Sequence, residues 1–172
     1  MKALNYIYKI KSAKEWLLNS GIQNMGGLHK GSFNAWYDTI TKQYPFAYSE
    51  ITGYGISTLL YLNEVQPNPE LVERACLAAN WLKKTAYIEN KSVVCRFYYA
   101  AEEYEPRLCT FDAGMCLKAL VSLYRQTRKK TYLKFSQKIA DWLIQDMQKE
   151  DGSFYARYLL DKGRLIDNEN QW

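Results

Sequence analysis

Two carboxylates, Glu50 and Asp112, are the residues best placed to do chemistry. Each stands just behind a hydroxyl residue that opens a helical pattern, in Ser49-Glu50-Ile51-Thr52 and Thr110-Phe111-Asp112. Two such groups facing one cavity could serve as general acid and general base on a glycosidic bond, or on an acidic C–H of a sugar. The side chains that could hold such a ligand are His29, Trp36 and Tyr37 before the first of these helices, Tyr54 inside it, and Arg96 further on; Asp38, Tyr44, Tyr48 and Thr52 belong to the same stretches. Fifteen tyrosines and five tryptophans fit this chemistry, because a ring with a polar tip suits a half-buried wall against a sugar. Every one of these residues also has a structural assignment. An acidic residue in a helix's first turn complements the helix dipole. A lone loop histidine commonly packs, and an aromatic ring commonly fills the space between helices.

Other chemistries find less support. Cys76, Cys95, Cys109 and Cys116 are unevenly spaced with no C-x-x-C pair, which predicts four reduced thiols, no metal site and no disulfide framework. No phosphate-binding glycine loop or G-x-S-x-G elbow occurs, and no cofactor is expected. The net charge of +5 is scattered, and its densest run, Arg125 to Lys130, reads as a solvated turn; no nucleic-acid partner is expected. Met1-Lys2-Ala3-Leu4-Asn5-Tyr6 lacks the apolar run of a signal peptide, and no stretch is apolar for long enough to span a membrane. These readings together predict a cytoplasmic protein.

A repeat sets the elements that must position the candidates. Ala79-Asn80-Trp81-Leu82 returns sixty-one residues later as Ala140-Asp141-Trp142-Leu143. The same offset carries Gly53 to Gly114, Leu59 to Leu120, and Ser92–Phe97 to Ser153–Tyr158. A third copy begins at Lys14-Glu15-Trp16-Leu17, with Gly26-Gly27-Leu28-His29 taken as the counterpart of the aromatic segments that end in Arg96 and Arg157. The recurrence of those two arginines argues for a repeated structural task. Helical spacing predicts helices over 50–63, 69–86, 110–127 and 130–148, with Ser49 and Thr110 as N-caps and Pro67 and Pro69 dividing the first two. Small residues at Gly53, Gly55, Ala113 and Gly114 predict close helix approach, since glycine there otherwise weakens the helix. Helix pairs repeating at about sixty residues exceed the common helical solenoids, whose periods run about 33–47 residues. They suit an α/α toroid, an inner ring of helices wrapped by an outer one. The expected fold is therefore all-α, one domain over 1–172 in units of about 1–48, 49–109 and 110–172, with Trp16, Trp81 and Trp142 packing inward from the outer helices.

Ser49-Glu50-Ile51-Thr52-Gly53-Tyr54-Gly55-Ile56, Thr110-Phe111-Asp112-Ala113-Gly114-Met115 and Asp151-Gly152-Ser153-Phe154 resemble bacterial α/α-toroid proteins associated with surface-polysaccharide biosynthesis. Their fold is similar to the terpenoid cyclase and protein prenyltransferase toroids and to six-hairpin glycosidases. The resemblance implies a pocket where the inner helices begin, which is where Glu50 and Asp112 lie. It also implies an incomplete, N-terminal part of a ring: in similar proteins a segment like Glu169-Asn170-Gln171-Trp172 leads into another inner helix. Missing C-terminal hairpins or a partner chain would then cover an open apolar flank on 110–148. Terpene and prenyl chemistry fit poorly, because the chain lacks D-x-D-D and D-D-x-x-D motifs and has a single histidine. The expected function is a carbohydrate-active or carbohydrate-binding protein of surface-polysaccharide synthesis, with hydrolase, lyase or epimerase-like acid/base chemistry if it is an enzyme. The alternative is a non-catalytic module that binds a glycan or a protein.

Overall fold

The apolar faces of the sequence become five helices: α1 (Lys2–Asn19), α2 (Ser49–Val65), α3 (Pro69–Trp81), α4 (Thr110–Thr127) and α5 (Lys130–Trp142). They are seen in a computed structural model that describes residues 2–100 and 104–167. Asn68 caps α3, its side chain accepting from the Glu70 amide at 3.0 Å, with Pro69 at the first helical position, where its missing N–H costs nothing. Both outer helices then widen into a π turn, Leu82–Ala86 and Leu143–Met147, so the expected helices over 69–86 and 130–148 each run as an α segment followed by a π segment. Inner helices α2 and α4 pack side by side, α3 lies against α2, and α5 lies against α4. Leu59, Leu71, Leu82, Leu120, Leu123 and Ile139 are completely buried between the two layers.

Glycine sets how closely the layers meet. A Cβ on Gly53 would lie 3.1 Å from the backbone of Met115 and Cys116 in α4, and one on Gly55 would lie 2.5 Å from the Phe33 ring. The expected close approach is therefore real at both positions. Gly114, the repeat partner of Gly53, faces open space.

The helical expectation holds in part, because short strands accompany the helices. Among the described residues five short strands, β1 (Phe46–Tyr48), β2 (Arg96–Tyr98), β3 (Arg107–Cys109), β4 (Arg157–Leu159) and β5 (Arg164–Ile166), lie between or after the helices. β1 pairs with β2 and β3 with β4, both antiparallel, and β5 adds to β4. Each inner helix is thus led in by a strand that pairs with the strand leaving its own hairpin. The backbone of these connections needs partners, and the ladders supply them.

Three sets of hydrogen bonds show the repeat in the backbone. Asn34 N donates to Ile22 O (2.8 Å), Val94 N to Ala86 O (2.9 Å) and Tyr155 N to Met147 O (2.9 Å). The next residues follow suit: Ala35 N to Phe46 O, Cys95 N to Arg107 O, and Ala156 N to Ile166 O. The counterpart of the Arg96 and Arg157 segments in the first copy is therefore Ser32–Trp36, not Gly26–His29. Trp36 stands where the arginines stand.

Two further expectations change. Ser49 and Thr110 do not cap their helices; their hydroxyls donate to Val94 O (2.5 Å) and Tyr155 O (2.6 Å), pinning each helix start to the segment just before the departing strand. Trp81 and Trp142 are buried, but Trp16 is 57% exposed. On the α4–α5 flank Phe111 and Ile144 are 57% and 60% exposed. The segment Glu169–Trp172, expected to lead onward, lies outside the described residues.

Candidate active site

The lead-in to α2 builds one wall. In the β1–β2 pair Phe46 faces Tyr98, Ala47 faces Phe97 and Tyr48 faces Arg96. Side chains alternate along a strand, so Phe46, Tyr48, Arg96 and Tyr98 share one face. The Phe46 ring lies 4.7 Å from Tyr98 and 4.9 Å from Trp36, and Tyr98 continues the row to Tyr104 at 5.0 Å. The Arg96 guanidinium sits over the rings of Phe46 and Tyr48, 5.2 Å from each centroid, and donates to the Tyr98 hydroxyl at 3.3 Å. Cation–π contact and a phenol acceptor fix its planar head.

The opposite face of β2 is a separate cluster. Phe97 packs 5.3 Å from Trp81, and His29 lies 5.5 Å from both Phe97 and Tyr99. Burial lowers the His29 pKa and its Nδ1 has no hydrogen-bond partner, so a neutral imidazole packs among rings there. Tyr37 makes its ring contact with Tyr44, at 5.2 Å, and the Tyr44 hydroxyl donates to Ser20 O. Asp38 closes its own turn by accepting from the amides of Ile40 and Thr41. Thr52 is buried and structural, accepting from Phe33 N and donating to Tyr48 O.

The carboxylates come together at the starts of α2 and α4. Glu50 lies beside the phenols of Tyr48 and Tyr54, and burial together with the charges of Asp112 and Glu50 pushes the Tyr48 phenol well above its usual range. Asp112 is only 3% exposed, and its Oδ2 has no hydrogen-bond partner. Burial disfavours its charged form and the nearby Glu50 charge adds to this; the Cys95 thiol beside it and the Arg96 charge pull the other way. The balance pushes the Asp112 pKa up to about 7. A dipole-complementing carboxylate has no need of such burial. The cluster therefore holds Glu50, Asp112, Arg96 and Tyr54 from the sequence-based set, with Trp36 at the end of its aromatic wall and half exposed.

Sequence reasoning missed Cys95, Cys109, Tyr98 and Tyr104. The Cys95 and Cys109 sulfurs lie 3.0 Å apart, and with an Asp112 oxygen they form the one group of three metal-type donors among the described residues. Two thiolates around one tetrahedral zinc, with Zn–S about 2.3 Å, sit roughly 3.8 Å apart, so these sulfurs are too close for that ion as they stand. Alternation in Arg96-Phe97-Tyr98-Tyr99 was the available signal for Tyr98; nothing local links Cys95 to Cys109.

Helical hairpins of this kind, inner helices packed side by side and outer helices against them, have the α/α-toroid fold. Solved structures share the fold. An α-mannanase of glycoside hydrolase family 76 from Bacteroides thetaiotaomicron superposes with a TM-score of 0.73 at 13% identity, over 89% of this chain and 42% of that one. A sugar epimerase from a ruminal bacterium gives 0.71 at 16% identity over 94% and 42%, and cellobiose 2-epimerase from Bacillus thermoamylovorans gives 0.71 at 11% over 96% and 44%. The chain spans less than half the length of these structures. No family and no curated protein matches it in sequence. No helix among the described residues is long and apolar enough to cross a membrane.

Proposed function

We propose that the protein acts on a carbohydrate, with Asp112 and Glu50 as the acid/base pair. The observation that carries this reading is Asp112: a buried carboxyl with an unpartnered oxygen and a pKa pushed up to about 7, beside a second carboxylate and an arginine. Such a group is poised to deliver or take a proton near neutral pH. Glu50, beside the phenols of Tyr48 and Tyr54, is its counterpart. Arg96 and Tyr54 would bind sugar hydroxyls, and Trp36 would stack on a ring face. The structures sharing the fold, named as a mannanase and as sugar epimerases, support carbohydrate as the substrate class. The E-I-T-G-Y and F-D-x-G blocks support surface-polysaccharide synthesis in the cytoplasm as the setting. Further hairpins, or a partner chain, would complete the pocket on the α4–α5 side.

The full-length protein should be offered oligosaccharides, with released reducing ends measured for hydrolysis and solvent-deuterium incorporation for epimerisation. Glu50→Gln and Asp112→Asn should each lower turnover by at least about 100-fold with the fold intact. Unchanged turnover removes them. The second reading, a non-catalytic glycan-binding module, is favoured by the exposed rings of Trp36, Tyr37 and Phe111. Binding without turnover, lost in Trp36→Ala and kept in Glu50→Gln, would establish it.

A further inference from the structure

The sugar chemistry leaves Cys95 and Cys109 unused, yet the fold brings them together. Fourteen residues separate them in the chain, and their sulfurs stand 3.0 Å apart. Both backbones are held by ladders: Cys95 N donates to Arg107 O, Ser49 N donates to Cys95 O, and Cys109 ends β3 opposite Arg157. Closing the gap to a disulfide, about 2.05 Å, needs the sulfurs to move about 1 Å closer, whereas a zinc ion would need them to part by nearly as much. Cys95 is buried and Cys109 half-buried, so a reagent from solvent meets Cys109 first. The other two cysteines are otherwise engaged, Cys116 donating to Ser49 O at 3.2 Å and Cys76 beside the Tyr132 phenol. An Asp112 carboxylate oxygen lies within 4.8 Å of both sulfurs.

We propose that Cys95 and Cys109 form a reversible dithiol–disulfide pair, oxidised by a low-molecular-weight disulfide, and that oxidation switches off the site around Asp112. The Cys109 thiolate attacks one sulfur of oxidised glutathione and releases one glutathione thiol. The Cys95 sulfur then attacks the mixed disulfide at Cys109 and displaces the second. One S–S bond breaks and one forms; the pair loses two electrons and two protons, and both end on the two released thiols. The product has no thiol proton on either sulfur, and the two sulfurs that lie within 4.8 Å of the Asp112 carboxylate are drawn together, which changes both the polarity and the packing around that carboxyl. The switching half rests on the function proposed above, while the cross-link itself does not.

The full-length protein is equilibrated across glutathione redox buffers, its free thiols are alkylated, and peptides are mapped by mass spectrometry. The expected result is a Cys95–Cys109 cross-link that dithiothreitol reverses and Cys109→Ser abolishes, with Cys76 and Cys116 alkylated throughout. Turnover should fall at least about tenfold on oxidation, and the residual turnover of Cys109→Ser should ignore glutathione disulfide. Cys95 and Cys109 remaining alkylatable in every buffer would overturn the proposal. So would a Cys109 adduct with glutathione that never resolves, or stoichiometric zinc retained by the protein and lost in Cys109→Ser. If the sugar chemistry is wrong, no turnover appears in either redox state and the cross-link alone decides.

Discussion

Burial keeps Asp112 protonated up to about pH 7, whereas an unfolded aspartate releases its proton near about 3.9. The folded chain therefore binds this proton more tightly than the unfolded chain. The resulting stabilisation is complete below about pH 4 and is lost progressively as pH rises to about 7, a swing on the order of 4 kcal/mol. Asp112→Asn has the same shape and no proton to lose. Urea unfolding at pH 5 and pH 8 should show the variant gaining on the parent by a few kcal/mol at the higher pH. Equal pH dependence in both would mean that the native carboxyl ionises normally. If Asp112 is the general acid, turnover of the parent should also decline as pH passes about 7, and this limb is read from a pH–rate profile.

The elements depend on contacts that skip along the chain. Ser49 and Thr110 illustrate this, because each hydroxyl donates to a carbonyl forty-five positions away, two residues before a departing strand. Alanine at either position leaves Val94 O or Tyr155 O without its hydroxyl donor, and the expected loss is about 1–2 kcal/mol in urea midpoint experiments. A helix cap lost in isolation would give a similar number, so amide exchange decides between them: the loss should appear at β2 or β4 as well as in the helix. The same non-local character marks what the sequence left hidden. Helical spacing located α2 to α5 to within a few residues, since that signal repeats over several turns. The strands are three residues long, too short for alternation to register. The Tyr48–Arg96 pairing and the Cys95–Cys109 approach exist only once the hairpin closes. Glu50, Asp112 and Tyr54 stood out because they lie in the first turns of helices, and Arg96 because it recurs as Arg157; His29 packs on the opposite face of β2, which a loop sequence does not show.

At the scale of the molecule the two related glycines, Gly53 and Gly114, carry the argument. Gly53 lets α4 come within van der Waals contact of α2, and an alanine there would press on the Met115 and Cys116 backbone, which cannot yield as a side-chain tip could. Gly53→Ala should cost about 1–3 kcal/mol. Gly114 occupies the same place on α4, with nothing within 4 Å of an added Cβ. In the 172-residue chain Gly114→Ala should be neutral or stabilising by up to about 1 kcal/mol, through helix propensity alone. In a longer form of the protein with another inner helix against α4, the same substitution should instead behave as Gly53→Ala does. The sign of the Gly114→Ala effect, measured by chemical unfolding in both lengths, therefore reports whether a helix seats on that face. The half-exposed Phe111 and Ile144 on the same flank lead to a parallel expectation: the 172-residue chain should self-associate in sedimentation runs where the longer form stays monodisperse. A shorter chain that is itself monodisperse and unfolds cooperatively, with Gly114→Ala stabilising in both lengths, would mean that the ring needs no further hairpin against α4.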